Sequence, residues 1–306
     1  MNKLNIKIVP FIIVVFLFGC KLENQQKNHL DLRGLKGKVK SLVETEYNIK
    51  SNFGEIKKVD YGGRTTKISY NESGYMTEYT YYNQDGSFNN RTTYLYDDNL
   101  NEIEVKEFNF SGEIESKELK VYDNNILVET KGLDSKGRLS WKIEYRNNSN
   151  GDIQELIQYN QDGKVYSRQL YEYDKNENHI QTVSFNSKEN IGKKSIYQYD
   201  DKGNRIEWKL FESNGNLISS EKYEYNKKDK KTIISRYGSK NKLEYTFSKS
   251  YNEYGDETTS LNHFPPDETY SFYYEHIYDD YNNWIELKDY QNNVPNKIVE
   301  RIIEYY

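Results

Sequence analysis

From Lys38 to Tyr306 hydrophobic and polar residues alternate with a period of two, in runs broken at short intervals by Gly, Asn and Asp. After Tyr199 the alternation places Ile206, Trp208 and Leu210 on one face, and the returning run ends in Tyr223-Glu224-Tyr225 with both rings on one side. Successive side chains of a strand point to opposite faces, so the pattern predicts β-strands with an aromatic face. The interrupting residues suit tight hairpins: Gly and Asn accept positive φ, and Asp or Asn bonds back to its own backbone. No helix is needed anywhere in this region. The N-terminus differs. An apolar run covers Ile8 to Phe18, and residues 21–33 are polar without alternation, which predicts a tether ahead of a first strand near Lys38 to Tyr47.

The strands form a repeat. Tyr followed by Asp, Asn or once Arg recurs at Tyr70, Tyr96, Tyr122, Tyr145, Tyr173, Tyr199, Tyr225, Tyr251 and Tyr278, so that the steps from one anchor to the next are 26, 26, 23, 28, 26, 26, 26 and 27. A second turn signal lies midway, at Gly86, Gly112, Gly137, Gly163, Glu189-Asn190, Gly215 and Asn241. Each unit therefore has two turns and two strands. Nine units make about eighteen strands, and at ~4.8 Å apart these would span roughly 86 Å if flat. Twisted open sheets rarely exceed about ten strands without curling. The expected fold is all-β, with tandem two-strand repeats over residues 34–306 forming an elongated, curled antiparallel sheet. In it the pairs Tyr197/Tyr199 and Tyr223/Tyr225 stack as packed columns, and the strands near Lys38–Tyr47 and Ile298–Tyr306 cap the ends against strand addition.

Composition sharpens this picture. The 35% hydrophobic content and mean hydropathy of −1.02 are low for a packed core. Yet 31 Tyr, 12 Phe and 3 Trp exclude a disordered chain, since amphipathic rings bury large areas while their polar ends stay hydrogen-bonded. The 43 basic and 48 acidic residues are interspersed, leaving no basic face for nucleic acid. Cys20 is the only cysteine, which excludes a disulfide framework and a thiolate metal site. Lys3 and Lys7 precede the apolar run, which contains Pro10 and falls short of the ~20 residues that span a bilayer. Residues 1–19 thus read as a signal peptide. Leu17-Phe18-Gly19-Cys20 resembles the lipobox of bacterial lipoproteins, with Phe18 departing from the usual small residue. That resemblance implies acylation of Cys20, palmitate included, a polar tether over residues 20–33, and a cell-envelope protein lipid-anchored to the outer membrane. Loss of residues 1–19 removes two lysines and no acid, so the mature charge moves from −5 to −7.

The stretches Tyr171-Glu-Tyr-Asp174, Tyr197-Gln-Tyr-Asp-Asp-Lys-Gly-Asn204 and Tyr223-Glu-Tyr-Asn226 resemble the YD-repeat family, the Tyr-Asp repeats of Rhs proteins and teneurins. The ending, Tyr278-Asp-Asp-Tyr-Asn-Asn-Trp284 followed by Arg301-Ile-Ile-Glu-Tyr-Tyr306, looks like the last repeat of small lipoproteins from Bacteroidetes-like bacteria. The resemblance implies a long coiling sheet with an adhesive or enclosing role. Nine short repeats with no appended toxin domain depart from the toxin-encapsulating shells.

The sequence contains no phosphate loop, no His-Glu-x-x-His and no nucleophile elbow. His263 and His276, with Asp267, Glu268 and Glu275 between them, are the one place where imidazoles and carboxylates crowd. Together with Trp284 these two histidines are the candidate ligand contacts, with no catalytic residue, metal ligand or cofactor assigned. The expected function is that of a non-catalytic, monomeric, lipid-anchored binding or scaffold protein, taking a carbohydrate or protein ligand and no nucleic acid. The alternatives are an immunity or competition factor related to Rhs systems and a carbohydrate-active enzyme.

Overall fold

The computed structural model describes residues 27–52, 55–59 and 63–306, so the signal segment, the lipobox and Cys20 lie outside the described residues. A short helix, α1 (His29–Arg33), precedes β1 (Val39–Asn52), β2 (Glu55–Lys58), β3 (Thr65–Tyr70), β4 (Met76–Tyr82), β5 (Phe88–Tyr96), β6 (Glu102–Phe108) and β7 (Ile114–Asp123). There follow β8 (Ile126–Asp134), β9 (Leu139–Asn147), β10 (Ile153–Asn160), β11 (Val165–Tyr173), β12 (His179–Asn186), β13 (Ile191–Tyr199) and β14 (Arg205–Glu212). The chain ends with β15 (Leu217–Tyr225), β16 (Lys231–Gly238), β17 (Leu243–Tyr251), β18 (Glu257–Phe264), β19 (Glu268–Tyr278), β20 (Trp284–Gln291) and β21 (Val294–Tyr305). From β3 to β21 each strand pairs antiparallel with the next, as hairpin signals at half-repeat spacing demand.

The expected open sheet is corrected at its ends. β1 pairs with β3 on one side and with β21 on the other, bringing Leu42 opposite both Ile68 and Ile303. The sheet is therefore a closed 20-strand barrel, with β2 folded back on the end of β1. Curling was the right consequence of strand number, and closure is where the curl ends. The terminal strands protect the edges by pairing with each other rather than by capping two open ends. The nine units that begin at the anchors account for β4 to β21, and β1 and β3 complete the ring.

Both kinds of turn share one construction. At the unit beginning at Asp200, Gly203 N–H donates to Asp200 O (3.0 Å) and Asp200 N–H to Asn204 O (2.9 Å), while the Asp200 carboxylate accepts from the amides of Lys202 (3.0 Å) and Asn204 (2.8 Å). Gly203 stands at φ 83°, a conformation that costs an L side chain about 1–2 kcal/mol. The turn is followed by a β-bulge: Gln198 pairs with Glu207 and Tyr199 with Arg205, leaving Ile206 as the extra residue. This bulge corrects the face assigned from alternation, because Arg205 rather than Ile206 takes the inward place beside Trp208 and Leu210. It also corrects one anchor. Asn147, paired with Ile153 across a bulge, occupies the place assigned to Tyr145, because the preceding turn is the shorter Asn124-Asn125 pair with both residues at positive φ.

The wall is one layer thick. Among the described residues only ten hydrophobic side chains are buried, and Leu30, Leu35, Val39, Leu42, Ile68 and Tyr70 form the one compact cluster. It is built by α1, which corrects the expected tether over residues 28–33. Asn28 caps the helix through a capping box with Asp31, and its side chain also donates to Ser73 O (2.9 Å). Leu30 buries against the seam between β1 and β3. Elsewhere ion pairs and ring contacts join neighbouring strands around the wall rather than across it. Twenty strands ~4.8 Å apart need a ring of radius at least about 15 Å, so the barrel is hollow.

Candidate functional site in the barrel lumen

The two faces of the wall differ in chemistry. One carries Tyr79, Tyr94, Trp141, Tyr145, Tyr171, Tyr197, Trp208, Tyr223, Phe247 and Tyr274, as the strand registers place them. The other carries dense pairs of charges, among them Glu104 with Lys106 (2.5 Å) and Lys117 (3.3 Å), Lys142 with Glu144 (2.6 Å) and Lys209 with Glu207 (2.6 Å). The aromatic face is the concave one. Tyr171 stands half the ring away from α1 with no element laid over it, yet burial raises its phenol far above the ordinary value, while its neighbour Glu172 is exposed. The curvature of the wall supplies that enclosure. Burial likewise pushes Tyr94 and Tyr173 up to about 12.

The anchor tyrosines act as latches. Six of the nine reach back across the wall and donate their hydroxyls to a carbonyl twenty positions earlier: Tyr96 to Met76 (2.7 Å), Tyr122 to Glu102 (3.1 Å), Tyr173 to Ile153 (2.9 Å), Tyr199 to His179 (2.7 Å), Tyr225 to Arg205 (2.7 Å) and Tyr251 to Lys231 (2.7 Å). Asn147 does the same to Leu127 (3.0 Å) through its amide. Tyr278 departs, bonding the Asp256 carboxylate (2.9 Å) and Asn252 (2.6 Å). Every latch joins one unit to the unit before it, so the repeated Tyr holds consecutive hairpins in register.

The residue whose carbonyl is latched stands six places after most anchors and varies freely. Met76, Glu102, Leu127, Ile153, His179, Arg205 and Lys231, followed by Glu257 and Trp284, make a ring inside the rim that carries the anchor turns. His179 lies among Tyr171 (5.3 Å), Tyr173 (5.6 Å) and Tyr197 (4.6 Å), with Nε2 near Gln181 O (3.0 Å) and the Thr182 hydroxyl (2.8 Å). Burial, followed by the Arg205 charge, holds its pKa below the usual imidazole range, opposed by the bond to Gln181 O. Arg205 stacks on Tyr223 (5.0 Å) and Tyr197 (5.6 Å), and Lys231 lies over Tyr223 at 4.1 Å. Tyr197, Tyr199, Tyr223 and Tyr225 thus share one wall segment, joined through Arg205 and Lys231 rather than ring on ring as a core column would be. Next along, Glu221 accepts from Tyr223 (2.7 Å), Arg236 (2.9 Å) and Tyr245 (3.2 Å).

Of the candidate ligand contacts, His276 and Trp284 come together and His263 does not. His276 stacks with Tyr278 (5.9 Å) and meets Trp284 edge-on (6.3 Å) on the luminal face, where Arg301 covers the Trp284 ring at 3.2 Å. His263 points the other way, to Thr269 (3.1 Å), because its register partners are outward-facing. Glu275 neighbours His276 in sequence and therefore also faces outward. Among the described residues no group of three His, Cys, Asp or Glu is placed to hold a metal ion. The three tryptophans, Trp141, Trp208 and Trp284, all lie on the luminal face. Trp141 lies flat over Gly132, where a Cβ would come within 2.3 Å of its indole nitrogen. On the outer wall a shallow depression of about 300 Å³ by Ser250, Thr259, Leu261 and Tyr273 gathers no converging charges.

No family model matches the chain, and no curated protein matches it. Among solved structures, a porin-like protein from Bacteroides uniformis is similar at 10% identity over 88% of this chain and 98% of its own, with a TM-score of 0.37. The crystal structure of TcdB2-TccC3-TEV is similar at 9% identity over 84% of this chain, with a TM-score of 0.28, and a Tc holotoxin pore from Photorhabdus luminescens at 10% identity over 84%, with a TM-score of 0.24. The chain spans about a fifth of these two toxin chains, 19% and 18%. At such scores the likenesses carry no inference about function.

Proposed function

We propose that the chain is a non-catalytic binding barrel of the cell envelope, lipid-anchored through Cys20, that receives a carbohydrate chain in its lumen. The observation that carries the reading is the luminal wall itself, in which aromatic rings alternate with Gln, Ser, Thr and charged side chains around a wide hollow. Sugar rings stack on aromatic faces through their C–H surfaces while their hydroxyls need hydrogen-bonding partners, and such a wall offers both. The signal-like N-terminus and the lipobox resemblance at Leu17–Cys20 support the anchor. The chemistry of the wall supports anchoring by lipid rather than insertion of the barrel. Glu104, Lys106, Glu207 and Lys209 sit mid-strand on the outer face, and a cation there costs about 2–4 kcal/mol at a bilayer midplane. The repeats' resemblance to YD proteins supports the enclosing role.

Because all three tryptophans face the lumen, their fluorescence reports its occupancy. Titration with soluble polysaccharides should shift the emission and shield it from acrylamide quenching. Binding without any tryptophan response would move the site off the luminal wall, and absence of binding across neutral and acidic polysaccharides would overturn the reading. For the anchor, metabolic fatty-acid labelling should be lost in Cys20→Ser.

A further inference from the structure

The ring of latched residues holds a feature that carbohydrate stacking does not need. The cations around it are mostly paired: Lys120 bonds Glu102 (2.5 Å), Lys249 bonds Glu257 (2.6 Å), and Arg301 bonds Glu44 (2.9 Å). Arg205 and Lys231, in consecutive units, have no carboxylate partner among the described residues. Arg205 contacts the rings of Tyr197 and Tyr223 and, at 3.4 Å, the Tyr223 hydroxyl, and Lys231 contacts the rings of Tyr223 and Tyr225. Glu221, the acid whose charge acts on Lys231, has its oxygens taken by Tyr223, Arg236 and Tyr245. Both cations contact the Tyr223 ring, 5.0 and 4.1 Å from its centroid, from the two strands that flank it.

We propose that Arg205 and Lys231 form a luminal binding site for an anionic oxygen group, a carboxylate or a phosphate, with Tyr223 as its floor. A guanidinium presents a fork of donors to such a group, and an ammonium adds a point charge that adjusts its direction. Low local dielectric strengthens both contacts. Two like charges held together in a half-buried place repel each other, and an anion between them removes that repulsion. The environment of Lys231 agrees, since burial and then the Arg205 charge hold its pKa below the usual lysine range, with Glu221 only partly opposing them. His179, the next position of the ring, whose pKa burial holds below the usual imidazole range, would add a third cation on acidification.

The site is tested by calorimetric titration of the full chain in detergent with inorganic phosphate and with acetate, at low and high salt. Binding of either anion is expected, weakened at high salt, at least tenfold weaker in Lys231→Gln and in Arg205→Gln, and retained in Lys231→Arg. The anion bound more tightly identifies the group. In the wild type, the bound anion should also raise the Lys231 titration midpoint, read from the NMR shifts of its ε-methylene. If neither anion binds, or if both Gln variants bind as the wild type does while keeping its circular dichroism, the proposal is overturned. Polysaccharide binding that persists in both Gln variants would leave the lumen as a carbohydrate site while removing the anion site.

Discussion

Tyr199 shows how one side chain serves the whole repeat. Its ring is half-buried on the luminal wall and its hydroxyl is committed to His179 O, so its roles can be separated by two substitutions. Tyr199→Phe keeps the ring and loses one hydrogen bond, and should lower stability by about 0.5–1.5 kcal/mol, read from the urea unfolding midpoint. Tyr199→Ala also removes the ring and should cost more, though less than the ~3–5 kcal/mol of a fully buried aromatic. An unshifted midpoint in both would mean that the latches hold nothing. Two glycines separate conformational from steric constraint in the same way. Gly203→Ala would make only an ordinary contact with Asn178 Oδ1 (3.7 Å) but stands at positive φ, and should cost about 1–2 kcal/mol. Gly132→Ala has no such φ but meets Trp141, and should change tryptophan emission, which Gly203→Ala should leave alone.

At the scale of elements, α1 joins the barrel through buried Leu30, through hydrogen bonds from its Asn28 cap to Ser73 O and from the Leu30 amide to Gly74 O (3.2 Å), and through one histidine. His29 Nδ1 accepts from the Met76 amide (3.0 Å), so that nitrogen must be unprotonated, and the ring meets Tyr75 edge-on. Arg33, Lys120, Glu102, Tyr75 and Tyr94 face it. Burial holds the His29 pKa below 6.5, with Glu102 opposing and Arg33 and Lys120 assisting. A base whose folded pKa is depressed contributes stability that is complete above its unfolded pKa and lost as pH falls below it. The Met76 amide should therefore lose hydrogen-exchange protection as pH drops below about 6.5. His29→Gln, which keeps an acceptor and cannot titrate, should flatten that dependence. Leu30→Ala should release α1, shown by proteolysis near Gly34, with the strand content of the circular dichroism spectrum retained.

At the scale of the molecule, closure replaces caps. Val39–Asn48 pair with Lys297–Tyr305, and Tyr306 bonds Tyr70 O (2.6 Å), so the two ends of the chain complete one wall. Deleting residues 279–306 removes β20 and β21 and leaves β1 and β19 with open edges. Light scattering should then show association, and a monodisperse folded truncation would show that closure is dispensable.

The sequence by itself determined what is local. Alternation marked the strands, Gly, Asn and Asp marked the turns, and the even spacing of the anchor tyrosines marked the units, because each depends on side chains close together along the chain. The first strand and the aromatic face were legible for the same reason. Tertiary structure decided the rest. Whether the curl closes depends on accumulated twist and on β1 and β21, from opposite ends of the chain, finding each other, which no local pattern records. The bulge after each anchor shifts the inward position from Ile206 to Arg205, so strict alternation missed the ring of latched residues. That ring is visible in sequence only once the units are aligned six places beyond each tyrosine. His263 in β18 and His276 in β19 are sent to opposite faces because the hairpin register sets His263 opposite Thr269, an odd number of positions before His276, while Arg205 and Lys231, a full unit apart, are brought to one ring because one unit advances the wall by two strands.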